Sequence, residues 1–211
     1  MSGAAAIDPR ERDDDEPAAP ISERGPSTRR VIIGYGFWLF LLSDIILFSA
    51  LFAAYAVLAG HTAGGPGGVK LFHRDNVLIE TACLLVSSFT CGVFSLAIDM
   101  RNRRLMYLFA ALTFALGAGF LYLELTEFAG MVAAGNGPQR SAFLSAFFAL
   151  VGMHGLHVTI GLAWLATMCA QVATLGFRPL VVGRLVCFAL FWHALDIVWI
   201  GVFTIVYLGA R

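Results

Sequence analysis

The sequence predicts an all-α integral membrane protein, a bundle of five transmembrane helices that follows a disordered N-terminal tail. Of the 211 residues, 59% are hydrophobic and 13% are charged, and the mean hydropathy is +0.79. A soluble domain is nearer half apolar and about a quarter charged. The apolar residues also fall into five long segments, and a hydrocarbon core of about 30 Å needs about 20 helical residues. Composition and segment length therefore predict the same fold class.

Residues 1–30 are predicted to form a disordered cytoplasmic tail. They contain seven acidic residues, five arginines and four prolines, and they lack a hydrophobic face. The acids precede the first apolar run, which is too long for the core of a signal peptide. The net charge of zero therefore reflects an acidic tail set against a slightly basic remainder. It indicates no class of partner, and we expect no nucleic acid.

Five segments are predicted to cross the membrane within a domain that covers residues 31–211. Several exceed 20 residues, which predicts tilting or extension beyond the lipid. The longest connection is residues 60–76, with the sequence GHTAGGPGGVKLFHRDN. The predicted spans are Val31–Ala59, Val77–Ile98, Leu105–Met131, Ser141–Leu175 and Val181–Gly209.

The distribution of basic residues predicts the direction of the chain. Cytoplasmic connections carry an excess of lysine and arginine. With the N-terminus inside, ten arginines lie on the inner side and four basic residues on the outer side. We therefore predict a cytoplasmic N-terminus and a C-terminus on the opposite side.

Ionisable side chains inside the spans are the candidate functional residues. Groups at that depth are costly, and they usually face a bundle interior, a cavity or a partner. No lysine or arginine lies well inside a span. Several of these side chains are three residues apart, so each such pair shares one side of its helix. The set comprises Asp44, Glu80, Glu124, Glu127, His154, His157, His193 and Asp196.

Three interpretations of this set remain open from the residues alone. Histidines at i and i+3, with a further histidine and an aspartate, could bind zinc, copper or iron. The same groups could form a proton or ion path through this chain. They could also form hydrogen-bonded networks that lock helices together or dock another subunit, which is the commonest use of such groups. The sequence contains no phosphate loop, GxSxG motif or dinucleotide fingerprint.

A series of segments, in one order along residues 31–209, points to a known family. They are GFWLFLLSD (36–44), TAGGP (62–66), VLIET (77–81), GAGF (117–120), ELTEF (124–128), SAFLSAFFALVG (141–152), HGLHVT (154–159) and FWHALDIVW (191–199). Through these segments the sequence resembles subunit 3 of the haem-copper terminal oxidases. The similarity is strongest to the subunit of cytochrome o ubiquinol oxidases, which has five helices.

The resemblance implies a non-catalytic subunit of a respiratory complex in the bacterial cytoplasmic membrane. Such a complex oxidises quinol, reduces oxygen to water and pumps protons. Its haem, copper and quinone sites are expected in subunits 1 and 2, and none in this chain. The implied partners are subunit 1, subunit 2, a small subunit 4 and membrane phospholipids. The implied role is support of assembly, lipid organisation and proton uptake by subunit 1.

The resemblance also implies roles for single residues. Asp44 matches a family carboxylate, often glutamate, that has been linked with proton uptake; aspartate is one methylene shorter, so its reach differs. The other seven residues are expected to form a structural polar network, and no catalytic, cofactor-binding or metal-binding residue is expected. The alternative is a free-standing small transporter or a membrane metalloenzyme that uses the same histidines and carboxylates.

Overall fold

The computed structural model describes residues 29–64 and 74–209, and all regular structure within them is helical. This confirms the predicted all-α class. The predicted tail, apart from its last two residues, and the middle of the longest connection lie outside the described residues. Five helices are long and apolar enough to cross a membrane. They are α1 (Arg29–Leu58), α2 (Arg74–Asp99), α3 (Arg103–Ala133), α4 (Ala142–Leu175) and α5 (Pro179–Val202), which continues as a π-helix over Phe203–Leu208.

Local chemistry sets the helix ends, which differ from the predicted spans by up to three residues. Asn102 caps α3 by accepting a hydrogen bond from the Leu105 amide at 3.3 Å. Ser141 caps α4 in the same way, from the Leu144 amide at 3.2 Å. Pro179 occupies the first turn of α5, where its missing N–H leaves no helical hydrogen bond unmade.

The end of the fifth span differs from the continuous α-helix that was predicted through Gly209. Its α-helical geometry stops at Val202, and the next six residues form a π-helix. A π-helix has i to i+5 hydrogen bonds and wider turns than an α-helix. The adjacent residues Val206 and Tyr207 are both buried against the bundle in this segment. An apolar run carries no periodicity signal for this change of helix type.

Helix α4 lies at the centre of the bundle and packs against α1, α3 and α5, while α2 packs along α3 and α5. Helix α1 is peripheral. Its buried residues Leu41, Phe48 and Tyr55 are seven positions apart, so they form one narrow seam. Along this seam, Tyr55 contacts Phe143 of α4 with ring centroids 6.0 Å apart. Most of the α1 perimeter therefore faces outward.

Trp192 of α5 joins four helices. Its indole packs directly against two glycines, Gly117 of α3 and Gly161 of α4. A Cβ atom added to Gly117 would lie 2.8 Å from a ring atom, and one added to Gly161 would lie 3.0 Å from a ring atom. Its Nε1–H donates to the Ser87 hydroxyl of α2 at 2.9 Å. The ring therefore fills a slot that exists because two facing residues lack side chains.

We predict that Gly117→Ala destabilises the protein, because the new methyl group overlaps a ring that three other helices hold in place. Overpacking of this kind costs about 1–3 kcal/mol. Gly119→Ala is the matched control, since a Cβ at Gly119 meets nothing within 4 Å. Thermal unfolding of the purified protein in detergent measures the difference. Equal transition temperatures for the two variants would contradict this account of the slot.

Candidate functional site

The structure places the eight predicted polar residues in three groups within the bundle. The first places Asp44 of α1 beside His157 of α4, with His154 one turn away on the same helix. The second gathers three glutamates at the end of the bundle where α3 and the π-helix finish. The third lies between α2 and α5 around His193 and Asp196. The sequence predicted that these residues form a structural polar network, and within the described residues they fall into these three groups.

Asp44 and His157 form a polar contact between α1 and α4. Asp44 lies one turn from Leu41 and one turn from Phe48, so it sits on the buried seam of α1. Its Oδ1 is 3.7 Å from Nε2 of His157, and the two side chains remain 20% and 12% exposed. His157 Nδ1 lies 2.8 Å from the Met153 carbonyl, to which Nδ1–H donates. Nε2 is therefore the ring nitrogen that faces Asp44.

His154 is fully buried and is enclosed by aromatic rings. Ring centroids of Phe48, Phe120 and Trp199 lie 6.3, 5.8 and 5.2 Å from its imidazole. Neither imidazole nitrogen has a hydrogen-bond partner among the described residues. Within the same part of the chain, no three His, Cys, Asp or Glu side chains converge as a metal site would require. The i and i+3 histidines therefore face different surroundings, an arrangement that does not favour the metalloenzyme alternative.

Glu80 of α2 meets Glu124 and Glu127 of α3 in the second group, with Tyr207 of the π-helix close enough to interact electrostatically with all three. Glu80 is 0% exposed and Glu124 is 2% exposed. The carboxyl oxygens of these two residues make no hydrogen bond to any described residue. Sequence reasoning missed Tyr207, because a tyrosine near the end of a span usually serves as an interfacial anchor.

The third group contains a serine that the sequence analysis did not select. The Ser88 hydroxyl of α2 is 2.8 Å from His193 Nδ1, and Asp196 lies one turn from His193 along α5. The spacing predicted that His193 and Asp196 share a helix face, and the hydrogen-bond partner of His193 is supplied by another helix. The adjacent serines of the α2 segment LLVSS were the available signal, since hydroxyl groups at that depth need partners.

Two indoles extend the connection between α2 and α5. Trp192 donates to Ser87, and Trp199 Nε1–H donates to the Thr81 hydroxyl at 3.1 Å. Cross-helix hydrogen bonds in a membrane contribute about 0.6 kcal/mol each on average. Together with the Ser88 and His193 contact, they form a row of three polar contacts along these helices. This row joins α2 to α5, whereas the Asp44 and His157 contact joins α1 to α4 and remains partly exposed.

Comparisons with known proteins agree on one family. A family model described as cytochrome c oxidase subunit III matches residues 22–210. The cytochrome bo(3) ubiquinol oxidase subunit 3 of Pseudomonas aeruginosa is 52% identical over 174 residues, which cover 82% of this chain and 83% of that protein. The same subunit of Pseudomonas putida is 53% identical over 173 residues, covering 82% and 84%. The quinol oxidase subunit 3 of Bacillus subtilis is 41% identical over 190 residues, covering 90% and 92%.

Proposed function

This chain belongs to the cytochrome c oxidase subunit III family, and we propose that it is the accessory third subunit of a haem-copper quinol oxidase. The observation that carries the proposal is the identity of 52–53% to two ubiquinol oxidase subunits over more than four-fifths of each chain. The five apolar helices support a multi-pass membrane subunit. A free-standing transporter or metalloenzyme is not favoured by these relatives.

In this proposal the redox chemistry belongs to partner subunits, and haem and copper are held by subunit 1. The surroundings of His154 support this division, because aromatic rings flank its imidazole and no described residue hydrogen-bonds to either nitrogen. The chain itself acts by packing against subunit 1, alongside subunit 2 and a small subunit 4, and by ordering phospholipids at its surface. The large outward perimeter of α1 is suited to such contacts.

Purification from the native membrane tests this proposal. We expect the tagged chain to co-purify with a haem- and copper-bearing partner in a complex that oxidises quinol with oxygen. The characteristic haem absorbance, metal analysis and oxygen consumption measure these properties. A stable isolated chain that carries stoichiometric metal, lost on His154→Ala, would show that the proposal is wrong and would support the metalloenzyme alternative.

The proposed orientation has a cytoplasmic N-terminus and an outer C-terminus, in a bacterial cytoplasmic membrane. The arginines that precede α1 and those between α2 and α3 support it. We predict that a periplasmically active reporter fused after Arg211 is active and that the same reporter fused in the connection before α3 is inactive. The reverse pattern of activities would overturn the orientation.

Asp44 is proposed to assist proton supply to subunit 1 together with His157. A carboxylate and an imidazole at the bundle surface can collect and pass protons, and this matters most when protons are scarce. We predict that Asp44→Asn leaves assembly intact but slows turnover at high pH or shortens the active lifetime of the enzyme. His157→Phe should have the same effect, and the double variant should be no worse than either single one.

Ser43→Ala is the control for this experiment, because Ser43 is exposed and its hydroxyl donates only to the Phe40 carbonyl of its own helix, at 2.6 Å. Oxygen consumption measured across a pH series, with successive time points at each pH, separates the two effects. Unchanged pH dependence and lifetime in Asp44→Asn would reduce Asp44 to a packing residue.

A further inference from the structure

An open groove of about 520 Å³ lies where α2 meets α5 on the outside of the bundle. Its α2 side is lined by Leu85, Ser88, Phe89, Gly92 and Leu96, among others. These positions recur at intervals of three or four residues, so they form one face of the helix over three turns. At about 1.5 Å per residue this face is about 16 Å long. The groove is therefore elongated along the axis of α2.

The groove lies at the middle of the membrane. Ser88 is 14 residues from the start of α2, and His193, which lines the groove from α5, is 14 residues from the start of that helix. The two helices begin at opposite ends of the bundle, and at about 1.5 Å per residue each residue lies about 21 Å from its helix start. Both residues are thus deep in a hydrocarbon layer of about 30 Å, which holds neither water nor phospholipid headgroups.

One ring nitrogen of His193 is left for a neighbouring molecule. Nδ1 is 2.8 Å from the Ser88 hydroxyl, whereas Nε2 makes no hydrogen bond to a described residue. The side chain is half-buried, and Nε2 is not enclosed by the protein, in contrast to Asp196 Oδ1, which is enclosed. A polar atom that faces only hydrocarbon loses the hydrogen bond that it would make in water. The molecule that covers this groove therefore has to present a polar group at the depth of His193.

The imidazole limits which polar group can serve. A neutral imidazole has one N–H donor and one acceptor nitrogen, and Nε2 is one or the other according to the tautomer. A hydroxyl or a carboxamide satisfies Nε2 in both cases, because each can donate and accept. These are also the side-chain groups that join transmembrane helices to one another in a membrane.

The shape of the groove favours a helix over other occupants. Gly92 lines it one turn from Ser88, and a Cβ added to Gly92 meets nothing within 4 Å, so a neighbouring helix can approach this backbone closely. An acyl chain has the required length but offers no hydrogen bond to Nε2. A second copy of this chain, paired about a two-fold axis, would set the same concave surface against itself and enclose an empty space.

We propose that this groove holds a transmembrane helix of a partner oxidase subunit, which lies along α2 and places a hydroxyl or carboxamide side chain against Nε2 of His193. The inference rests on the proposed function, which supplies the partner subunits. It identifies the face formed by α2 and α5, in addition to the perimeter of α1, as a surface through which the chain joins the complex.

Photo-cross-linking in the native membrane tests this proposal. The photoreactive residue p-benzoylphenylalanine replaces Phe89, which is 71% exposed in the groove. Val86 receives the same residue as the matched control, because it is 50% exposed on the same helix but does not line the groove. We expect mass spectrometry of the purified complex to find a cross-link from position 89 to a transmembrane segment of a partner subunit, and none to that segment from position 86. The linked segment should contain a serine, threonine, asparagine or glutamine within one turn of the linked residue.

Gly92→Leu tests the groove by filling it. Gly119→Leu is its control, because a Cβ at Gly119 of α3 is equally free of contacts and this residue does not line the groove. We expect Gly92→Leu to weaken association with the partner subunits about tenfold, as overpacking of a close helix contact does, and Gly119→Leu to leave it unchanged. The fraction of haem-bearing partner that the tagged chain retains across a detergent series measures the association.

Equal retention of the partner by Gly92→Leu and Gly119→Leu would overturn the proposal. Cross-links from position 89 to phospholipid alone, to a quinone or to a second copy of this chain would overturn it as well, and so would a linked segment that contains only apolar residues. A chain that purifies without a haem-bearing partner contradicts the proposed function. An intact complex that oxidises quinol, with position 89 linked to no partner subunit, contradicts the docked helix alone.

Discussion

The arrangement of α2, α3, α4 and α5 depends on the Trp192 side chain, which occupies a slot between Gly117 and Gly161 and donates to Ser87. Lipid tails are as apolar as leucine, so apolar burial does not by itself bring transmembrane helices together. Close packing and cross-helix hydrogen bonds have to bring the helices together. The indole combines both, because its flat ring permits two helices to approach while its single N–H fixes a third. The other contacts between α2 and α5 extend an alignment that this ring has set.

The carboxylates in the described spans differ in which side chains lie next to them. Asp44 meets an imidazole near the surface, and Asp196 lies one turn from an imidazole that is hydrogen-bonded to a serine. Glu80 and Glu124 instead meet other carboxylates in the interior. Asp44 remains 20% exposed, so a neighbouring molecule can reach it, and the proposal on proton supply rests on it. The interior group lies beside Tyr207 of the π-helix.

The fold class and the five helices could be predicted from the sequence, because length and hydropathy alone decide which segments can cross a bilayer. The polar residues of interest could also be chosen from the sequence, since ionisable side chains at that depth are rare. The partners of these polar residues could not be predicted from the sequence. Spacing along a helix shows which residues share a face, but it cannot show that Ser88 would bind His193, or that aromatic rings would surround His154. Those facts depend on how helices distant in sequence pack. The π-helix could not be predicted either, because a mostly apolar segment carries no periodicity that distinguishes it from an α-helix.

The narrow seam of α1 gives Asp44 a significance that does not depend on protons. Leu41, Phe48 and Tyr55 give α1 one buried seam, and mostly apolar residues cover the rest of its surface. Another apolar face of α1 could therefore lie against α4 with little change in burial. A rotation of α1 about its own axis would, however, place Asp44 in the hydrocarbon. There an aspartate costs about 2.5–3.5 kcal/mol of insertion free energy. One carboxylate thus selects a single rotational setting about the helix axis for α1, whose other faces are nearly equivalent in polarity.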